Sequence, residues 1–375
     1  MIYLDYSANT PVDARVLEQF CAVERRCIGN ANSHHQAGSA AKAEIDAATI
    51  KIASLLGVQP AEIIYTSGAS EANNFALKGL ARLSRHAGRH IISTPLEHSS
   101  VSGTLTALQE QGDEIDLLDV KQDGTVDLEH LKDLLRPDTI CVAVTLVDSE
   151  LGVVQPVQEI ATILKAYPHC HLHVDATQAV GKIPVSFEGV DTMSLTAHKF
   201  YGLNGIGLLI KRRNLALEPL IHGGESTTIY RSGTPTVALA SSLALALELA
   251  VEQLPEHAEA VQKANAFLRT ELAKYPKVRI NSPENAIPHI LNLSVQDVKG
   301  TVFQRELNEE GVCVSVKSAC SSDGLPSRAV FAVSRDRRNA LSSWRVSLSH
   351  RTTEEDLRGF LAAFDRCYRG LTETK

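Results

Sequence analysis

Short apolar segments rich in β-branched residues alternate with helical segments through the first two-thirds of this chain of 375 residues. Alternation at this spacing is typical of a mostly parallel, doubly wound sheet. The link from His198 to Gly205 is too short for a helical crossover, so the strand that follows it is expected to pair antiparallel. We therefore predict an α/β fold whose seven sheet strands span residues 63–66, 90–94, 115–119, 140–147, 171–175, 192–196 and 206–210.

The pattern changes after about residue 255, which indicates a second domain. Helices are predicted over residues 38–56, 70–84, 99–111, 127–135, 156–166, 235–253 and 255–275. Further strands are predicted near residues 289–295, 312–316 and 343–349, with helices over 300–310 and 353–369. We predict a large α/β domain over residues 13–255 and a smaller α+β domain that combines residues 1–12 with residues 256–375.

The charge balance argues against some classes of partner. Lys and Arg number 37 against 44 Asp and Glu, so the chain lacks the basic surface that duplex DNA or an anionic membrane usually needs. The most apolar stretch, residues 237–251, is shorter than the ~20 residues of a membrane span. No signal peptide is visible, and the seven cysteines form no CxxC pair. These features predict a cytoplasmic protein with no direct nucleic-acid or membrane partner.

Two segments place polar groups at predicted strand ends. Ser67-Gly68-Ala69-Ser70 joins a strand to a helix, and such a turn points backbone N–H groups and the helix dipole at one spot, which suits a phosphate. By itself the turn is better explained as an ordinary helix cap. His98 follows the next strand, where ligands bind in open α/β sheets, although a lone His there is more often structural.

Two further strand ends carry charged side chains. Alternation puts His171, His173 and Asp175 on one strand face, and with His169 they raise the question of a metal site. No Cys or carboxylate at metal-ligand spacing completes one, which favours a packed strand and no metal. Asp175 needs a cation or several donors at such a buried position. Lys199 ends the strand at 192–196, and its default explanation is a surface charge.

Together the four segments match the requirements of pyridoxal 5'-phosphate (PLP). The phosphate of this cofactor suits a helix N-terminus, and its ring suits a flat group stacked on one face. Its pyridine nitrogen requires a carboxylate, and its aldehyde requires a lysine. The set therefore predicts one PLP site at the carboxyl edge of the sheet.

Ten motifs carry a resemblance to a known family, and they cover nearly the whole chain. They are YLDY (3–6), TPVD (10–13), TSGASEANN (66–74), EH (97–98), ELG (150–152), HVDATQ (173–178), AHK (197–199), RSGT (231–234), SACSS (318–322) and SWRVS (343–347). In this order they resemble the NifS/IscS-type cysteine desulfurases, within the class-V aminotransferase family and fold type I of PLP enzymes.

The resemblance implies a set of cofactor-binding residues. Lys199 would bind the PLP aldehyde covalently, Asp175 would pair with the pyridine nitrogen, and His98 would stack on the ring. The remaining implied contacts are Gln178 to the ring hydroxyl, Ala69, Ser70, Thr196 and His198 to the phosphate, and Thr234 to the phosphate of the other subunit. A homodimer is therefore expected.

The resemblance also implies the reaction. L-cysteine would be converted to L-alanine, with Lys199 and His98 moving protons and Cys320 receiving the sulfur as a persulfide. Arg345 and Asn9 would bind the substrate, the guanidinium being well suited to a carboxylate. The sulfur would pass to an acceptor protein, either a scaffold for iron–sulfur cluster assembly or a carrier for tRNA thiolation.

This chain departs from the family at several positions. The family usually has Asn-Asn-Glu where this chain has Asp148-Ser149-Glu150, and the second Asn hydrogen-bonds the cofactor ring oxygen. Ser149 remains a candidate for that contact, although its shorter side chain would bond through water or not at all. Lys317 replaces a Gly before the Cys320 motif, where its charge favours a thiolate.

Alternatives remain open from the sequence. A selenocysteine lyase or another β-elimination lyase would keep the cofactor and change the substrate, and a non-catalytic scaffold would keep only the fold. Cys320 itself could be a small buried apolar residue. The polar, turn-prone residues 318–327 favour an exposed loop instead, and hence the nucleophile.

Overall fold

A seven-stranded sheet forms the centre of the larger part of the molecule in the computed structural model, which describes residues 1–317 and 325–373. The strands of the described residues are β1 (Ile2–Tyr3), β2 (Ile63–Thr66), β3 (His90–Ser93), β4 (Glu114–Leu117), β5 (Thr139–Thr145), β6 (His171–Asp175), β7 (Thr192–Thr196), β8 (Gly207–Lys211), β9 (Val278–Ile280), β10 (Ile290–Val295), β11 (Val312–Cys313) and β12 (Ser343–Ser347). The central sheet has the order β2-β8-β7-β6-β5-β3-β4.

The predicted α/β fold with a mostly parallel seven-stranded sheet is confirmed. Strands β3 to β7 pair parallel, whereas β8 pairs antiparallel with both β2 and β7, as the short link before it predicted. The residues of β5 and β7 are all buried, as expected for strands covered on both faces. The carboxyl ends of β2, β3, β5, β6 and β7 consequently lie along one edge of the sheet.

Helices cover both faces of this sheet. The α-helices of the described residues are α1 (Ala14–Arg26), α2 (Gln36–Leu56), α3 (Ala69–Leu83), α4 (Ser99–Glu110), α5 (Leu128–Leu134), α6 (Val157–Leu164), α7 (Val237–Glu252), α8 (Leu254–Leu272), α9 (Gly300–Glu309), α10 (Arg328–Ser334), α11 (Arg337–Ser342) and α12 (Glu354–Thr372). Of these, α8, α9 and α12 pack in the core of the smaller part instead. Neighbouring residues of β3 enter different cores: Ile92 packs with α2 and α7, and Ile91 packs with α3 and α4. This alternation follows from the period of two in a strand.

Helix α7 is largely buried between α1 and α2. Within the described residues, no single helix is long and apolar enough to cross a bilayer. Among the described helices, only α7 and α8 taken together, across a bend of 65°, reach the required length and composition.

A separate hydrophobic core belongs to the smaller part of the structure. It surrounds the antiparallel sheet β9-β10-β12, and Phe303 stacks on Trp344 at its centre with ring centroids 5.1 Å apart. Leu4 packs in the same core, and β1 pairs parallel with β11. Residues 2–4 therefore pack with the smaller part, while the predicted domain boundaries near residues 12 and 255 stay predictions.

Candidate active site

One cavity of about 330 Å³ opens at the carboxyl edge of the central sheet. It gathers ten of the residues predicted from the sequence, namely Ala69, Ser70, His98, Ser149, Asp175, Gln178, Thr196, His198, Lys199 and Arg345. Nine of them come from the large part of the structure, and Arg345 comes from β12 of the smaller part. The cavity therefore lies where the two parts meet.

Three predicted residues are not among those that line the cavity. Asn9 donates a hydrogen bond to the Thr10 carbonyl oxygen at 3.1 Å, and its contact with substrate stays a prediction. Thr234 is exposed, and its contact with a second subunit also stays a prediction. Cys320 lies outside the described residues.

The start of α3 forms one end of the cavity. Gly68 caps this helix with no side-chain hydrogen bond, so its first N–H groups are left for a ligand. Gly207 of the neighbouring strand lies so close that a Cβ there would meet Gly68 Cα at 2.7 Å. At the same end, Thr196 Oγ1 and His198 Nδ1 are 3.0 Å apart. Burial and the charge of Lys199 lower the pKa of His198 to about 4, so the imidazole is neutral.

Asp175 is held by donors at the end of β6. Its Oδ2 accepts from Asn73 Nδ2 at 2.8 Å, and its Oδ1 accepts from the Thr177 N–H at 2.9 Å. Asn73 Oδ1 in turn accepts from Ser194 Oγ at 2.5 Å and lies 3.0 Å from His173 Nε2. Burial lowers the pKa of His173 to about 4. Asp175 thus presents a fixed carboxylate to the cavity, and His173 packs within the sheet.

Lys199 is placed by the N-terminal segment, a contact that the motifs did not reveal. Its Nζ donates to the carbonyl oxygens of Ser7 and Ala8, both at 2.6 Å. Gln178 Nε2 donates to the same Ser7 oxygen at 2.9 Å, and Lys182 Nζ donates to Gln178 Oε1 at 2.5 Å. Burial lowers the pKa of Lys182 well below its ordinary value. The Gln178 amide therefore has one orientation, because the Ser7 carbonyl oxygen can only accept and must face Nε2.

His98 is the N-cap of α4, which explains its fixed position. Its Nδ1 accepts from the Ser100 N–H at 3.1 Å, so the neutral ring carries its proton on Nε2. Burial lowers the pKa of His98, partly offset by the charge of Asp175. A neutral imidazole can stack on a flat ring and can exchange a proton.

Arg345 is buried, and its side chain is only 2% exposed. One terminal nitrogen, Nη1, donates to the Ser149 carbonyl oxygen at 2.6 Å, and Nη2 donates to Asp5 Oδ1 at 3.1 Å. Its Nε has no hydrogen-bond partner among the residues that the structure describes. Because Nε has almost no accessible surface, the donors that a ligand in the cavity can reach are the remaining N–H bonds of Nη1 and Nη2.

The donor set of the cavity fits PLP. The open helix N-terminus, the fixed carboxylate of Asp175, the neutral ring of His98 and the amine of Lys199 all line one space. These are the groups that the phosphate, pyridine nitrogen, ring face and aldehyde of this cofactor require. Across residues 1–317 and 325–373, no group of three or more His, Cys, Asp or Glu side chains could hold a metal ion.

Fold and cavity together define an α/β enzyme of PLP fold type I. The chain belongs to the class-V aminotransferase family, whose model matches residues 2–360. This is the family that the sequence motifs predicted, and it is PLP-dependent.

Curated relatives and solved structures agree with this family. The chain is 38% identical to "Cysteine desulfurase IscS" of Dictyoglomus turgidum, over 97% of this chain and 94% of the relative. It is 39% identical to the protein of the same name in Proteus mirabilis, over 95% and 90%. A solved "NIFS-LIKE PROTEIN" has a TM-score of 0.93 at 36% identity, over 99% and 100% of the two chains. "SspA in complex with cysteine" has a TM-score of 0.82 at 31% identity, over 94% and 100%.

Proposed function

We propose that the protein is a PLP-dependent cysteine desulfurase that converts L-cysteine to L-alanine. The observation that carries the proposal is the convergence of Lys199, Asp175, His98 and Arg345 on one cavity. Relatives named cysteine desulfurase, similar over nearly the whole chain, support the activity. The structure that holds cysteine in a relative supports the substrate.

The cofactor would be held by residues from several elements. Lys199 would bind its aldehyde, Asp175 its pyridine nitrogen, and the start of α3 with Ser70 its phosphate. When bound, PLP withdraws electrons from the substrate Cα, which is what makes the C–S bond cleavable. Gln178 and Ser149 line the same cavity and are the candidates for the ring oxygen.

The protein side chains would bind the substrate and move protons. Arg345 would bind the carboxylate of L-cysteine through the N–H groups that Asp5 and Ser149 leave open. Lys199 Nζ would transfer the Cα proton, and the neutral imidazole of His98 would exchange a second proton. The Cys320 thiol would take the substrate sulfur as a persulfide, and L-alanine would leave.

The partners are proposed from the family and from the surface. Ile50 is 59% exposed on α2, and it lines a groove of about 920 Å³ together with Pro60 and Ala61, which are also exposed. Exposed apolar side chains at one groove favour a protein interface, so a homodimer is proposed there. The persulfide would pass to an acceptor protein for iron–sulfur cluster assembly or tRNA thiolation. Net negative charge and the cysteine pattern favour a cytoplasmic location.

Product analysis with two variants tests this function. Purified wild type supplied with PLP and L-cysteine is expected to release L-alanine. Cys320→Ala is expected to keep the absorbance band near ~420 nm of the loaded enzyme but to lose persulfide and alanine formation. Lys199→Ala is expected to lose both the band and the activity. Sulfide release by Cys320→Ala equal to that of wild type, with pyruvate and ammonia in place of L-alanine, would indicate a β-elimination lyase instead. A wild type that stays colourless with PLP would contradict a PLP-dependent enzyme.

A further inference from the structure

A carboxylate from the N-terminal segment contacts the guanidinium that is expected to bind the substrate. Asp5 follows β1 by two residues, and its Oδ1 accepts from Arg345 Nη2 at 3.1 Å. The two side chains are 17% and 2% exposed, so the pair is largely withdrawn from water. The charge-assisted hydrogen bond is therefore stronger and better oriented than a surface ion pair.

Two further contacts, from Ser315 and from Ser347, hold Asp5 in place. Its Oδ2 accepts from Ser315 Oγ at 2.8 Å. Ser315 and Arg345 also exchange backbone hydrogen bonds, at 3.2 Å and 2.6 Å. The backbone of Asp5 forms a bridge to Ser347, two residues beyond Arg345 on the same strand. The carboxylate, its brace and the guanidinium therefore belong to one rigid unit.

The contacts of Arg345 leave part of its guanidinium open. Its Nη1 donates to the Ser149 carbonyl oxygen and its Nη2 to Asp5, which fixes the plane of the group. Five N–H bonds are available on an arginine, so two fixed contacts leave further donors with a set direction. They are the unused N–H bonds of Nη1 and Nη2, because Nε has almost no accessible surface. The cavity that Arg345 lines is the place for their acceptor.

We propose that Asp5 is a positioning residue that makes the enzyme select substrates with an α-carboxylate. The proposal rests on the proposed function and adds a residue to it. Asp5 orients the Arg345 guanidinium before the substrate arrives, so that less free energy is spent on ordering the side chain when the carboxylate binds.

Asp5 has two opposite effects on the substrate, one through the orientation of Arg345 and one through its own negative charge. A negative charge beside Arg345 repels a substrate carboxylate, so the benefit of Asp5 must come from the geometry that it imposes. Asn at this position keeps an oxygen that accepts from Nη2 and loses the charge. Ala loses both. Asp5→Asn is therefore expected to bind carboxylates at least as well as wild type, whereas Asp5→Ala is expected to bind them poorly.

Kinetics of the PLP-loaded enzyme test the proposal. Asp5→Ala is expected to raise the KM for L-cysteine roughly tenfold or more, the value of a hydrogen bond to a charged group, with a smaller change in kcat. The ratio of kcat/KM for L-cysteine over cysteamine, which lacks the carboxylate, should fall by a similar factor. Asp5→Asn should restore both values.

Binding of L-alanine, measured by calorimetry, gives a readout that does not depend on sulfur chemistry. Asp5→Ala should weaken it by the same factor as KM. If wild type formed no alanine from L-cysteine, the proposed function would fail, and the calorimetric comparison would still decide the role of Asp5. Unchanged L-alanine affinity in Asp5→Ala, or no binding by wild type, overturns the proposal.

Two variants serve as controls. Asp13→Ala removes another carboxylate of the N-terminal segment, one that caps α1 and binds Arg15 at 2.9 Å, and should leave KM unchanged. Ser315→Ala removes only the brace of Asp5 and should raise KM in the same direction by a smaller factor. If Asp5→Ala does not fold, the KM of Ser315→Ala tests the role of Asp5 instead. An unchanged KM in that variant counts against the proposal.

Discussion

Glu97 is a buried acid beside the cavity, and burial changes its chemistry. It is 5% exposed, and its Oε1 accepts from Thr94 Oγ1 and from the Thr145 N–H, both at 2.8 Å. Its Oε2 has no partner among the described residues. Burial raises the pKa of Glu97 to about 8, so the folded protein holds a proton that the unfolded chain releases near pH 4.5.

We expect Glu97→Gln to remove a pH dependence of stability. Since the folded pKa of Glu97 is raised, its contribution is fully present below about pH 4.5 and is lost as the pH rises to about 8. Relative to Glu97→Gln, the unfolding free energy of wild type should fall by up to about 1.4 kcal/mol per pH unit between those values. Denaturant unfolding at several pH values measures the difference, and a constant difference would contradict a raised pKa.

Some residues of the site could be predicted from the sequence, and others could not. Asp175 ends strand β6, and His98 and Lys199 come shortly after β3 and β7, so all three lie at carboxyl ends of strands that share an edge. Asn73 lies inside α3, and its contact with Asp175 depends on how that helix packs across β6. Asp5 contacts Arg345, which lies 340 positions later in the chain, and no local sequence pattern predicts such a contact.

At the scale of elements, the contact between β8 and the start of α3 depends on a glycine. A Cβ at position 207 would lie 2.5 Å from the Leu195 carbonyl oxygen and 2.7 Å from Gly68 Cα. Both neighbours are backbone atoms, which move only if the strands or the helix start move. Any larger residue must therefore displace the proposed phosphate end of the cavity.

Gly207→Ala is expected to lower the unfolding free energy by about 1–3 kcal/mol, the usual cost of overpacking, and to weaken PLP retention. Gly103→Ala is the matched control, because nothing lies within 4 Å of a Cβ there and the residue is inside α4. That change should stabilise the helix by about 0.5–1 kcal/mol. Thermal unfolding and the bound PLP content after dialysis measure both effects, and equal behaviour of the two variants would be the contrary result.

The elements themselves followed the sequence where periodicity was strong. Strands β2, β6 and β7 have the predicted bounds, and β8 begins one residue later than predicted. Helix α1 was not predicted, because only Val16 and Val23 of its residues are buried and they lie seven positions apart. Helices α10 and α11 were also missed, since they are seven and six residues long and lie in a turn-prone stretch.

At the scale of the whole molecule, the doubly wound architecture was predictable because strand–helix alternation allows few other arrangements. The way in which the smaller part closes the cavity was not predictable. It depends on Arg345 of β12 reaching Ser149 in the large part, a contact between residues 196 positions apart. Such long-range packing leaves no local signal in a single sequence.

The proposed homodimer can be tested at the groove around Ile50. Ile50→Glu places a charge on an apolar side chain that is 59% exposed, and we expect the dimer to dissociate into chains of 40.6 kDa. Leu117→Glu is the control, since Leu117 is 51% exposed on the edge strand β4 and does not line that groove. Light scattering coupled to gel filtration measures the mass, and an unchanged dimer in Ile50→Glu would exclude this face.

The position of the N-terminal segment in the active site has a consequence for synthesis of the protein on the ribosome. Ser7 and Ala8 leave the ribosome early, but Lys199 is made about 190 residues later, and the guanidinium that Asp5 meets is made 340 residues later. The active site cannot be complete until translation has nearly finished. A nascent chain is thereby prevented from liberating reactive sulfur before it is released and can meet a recipient.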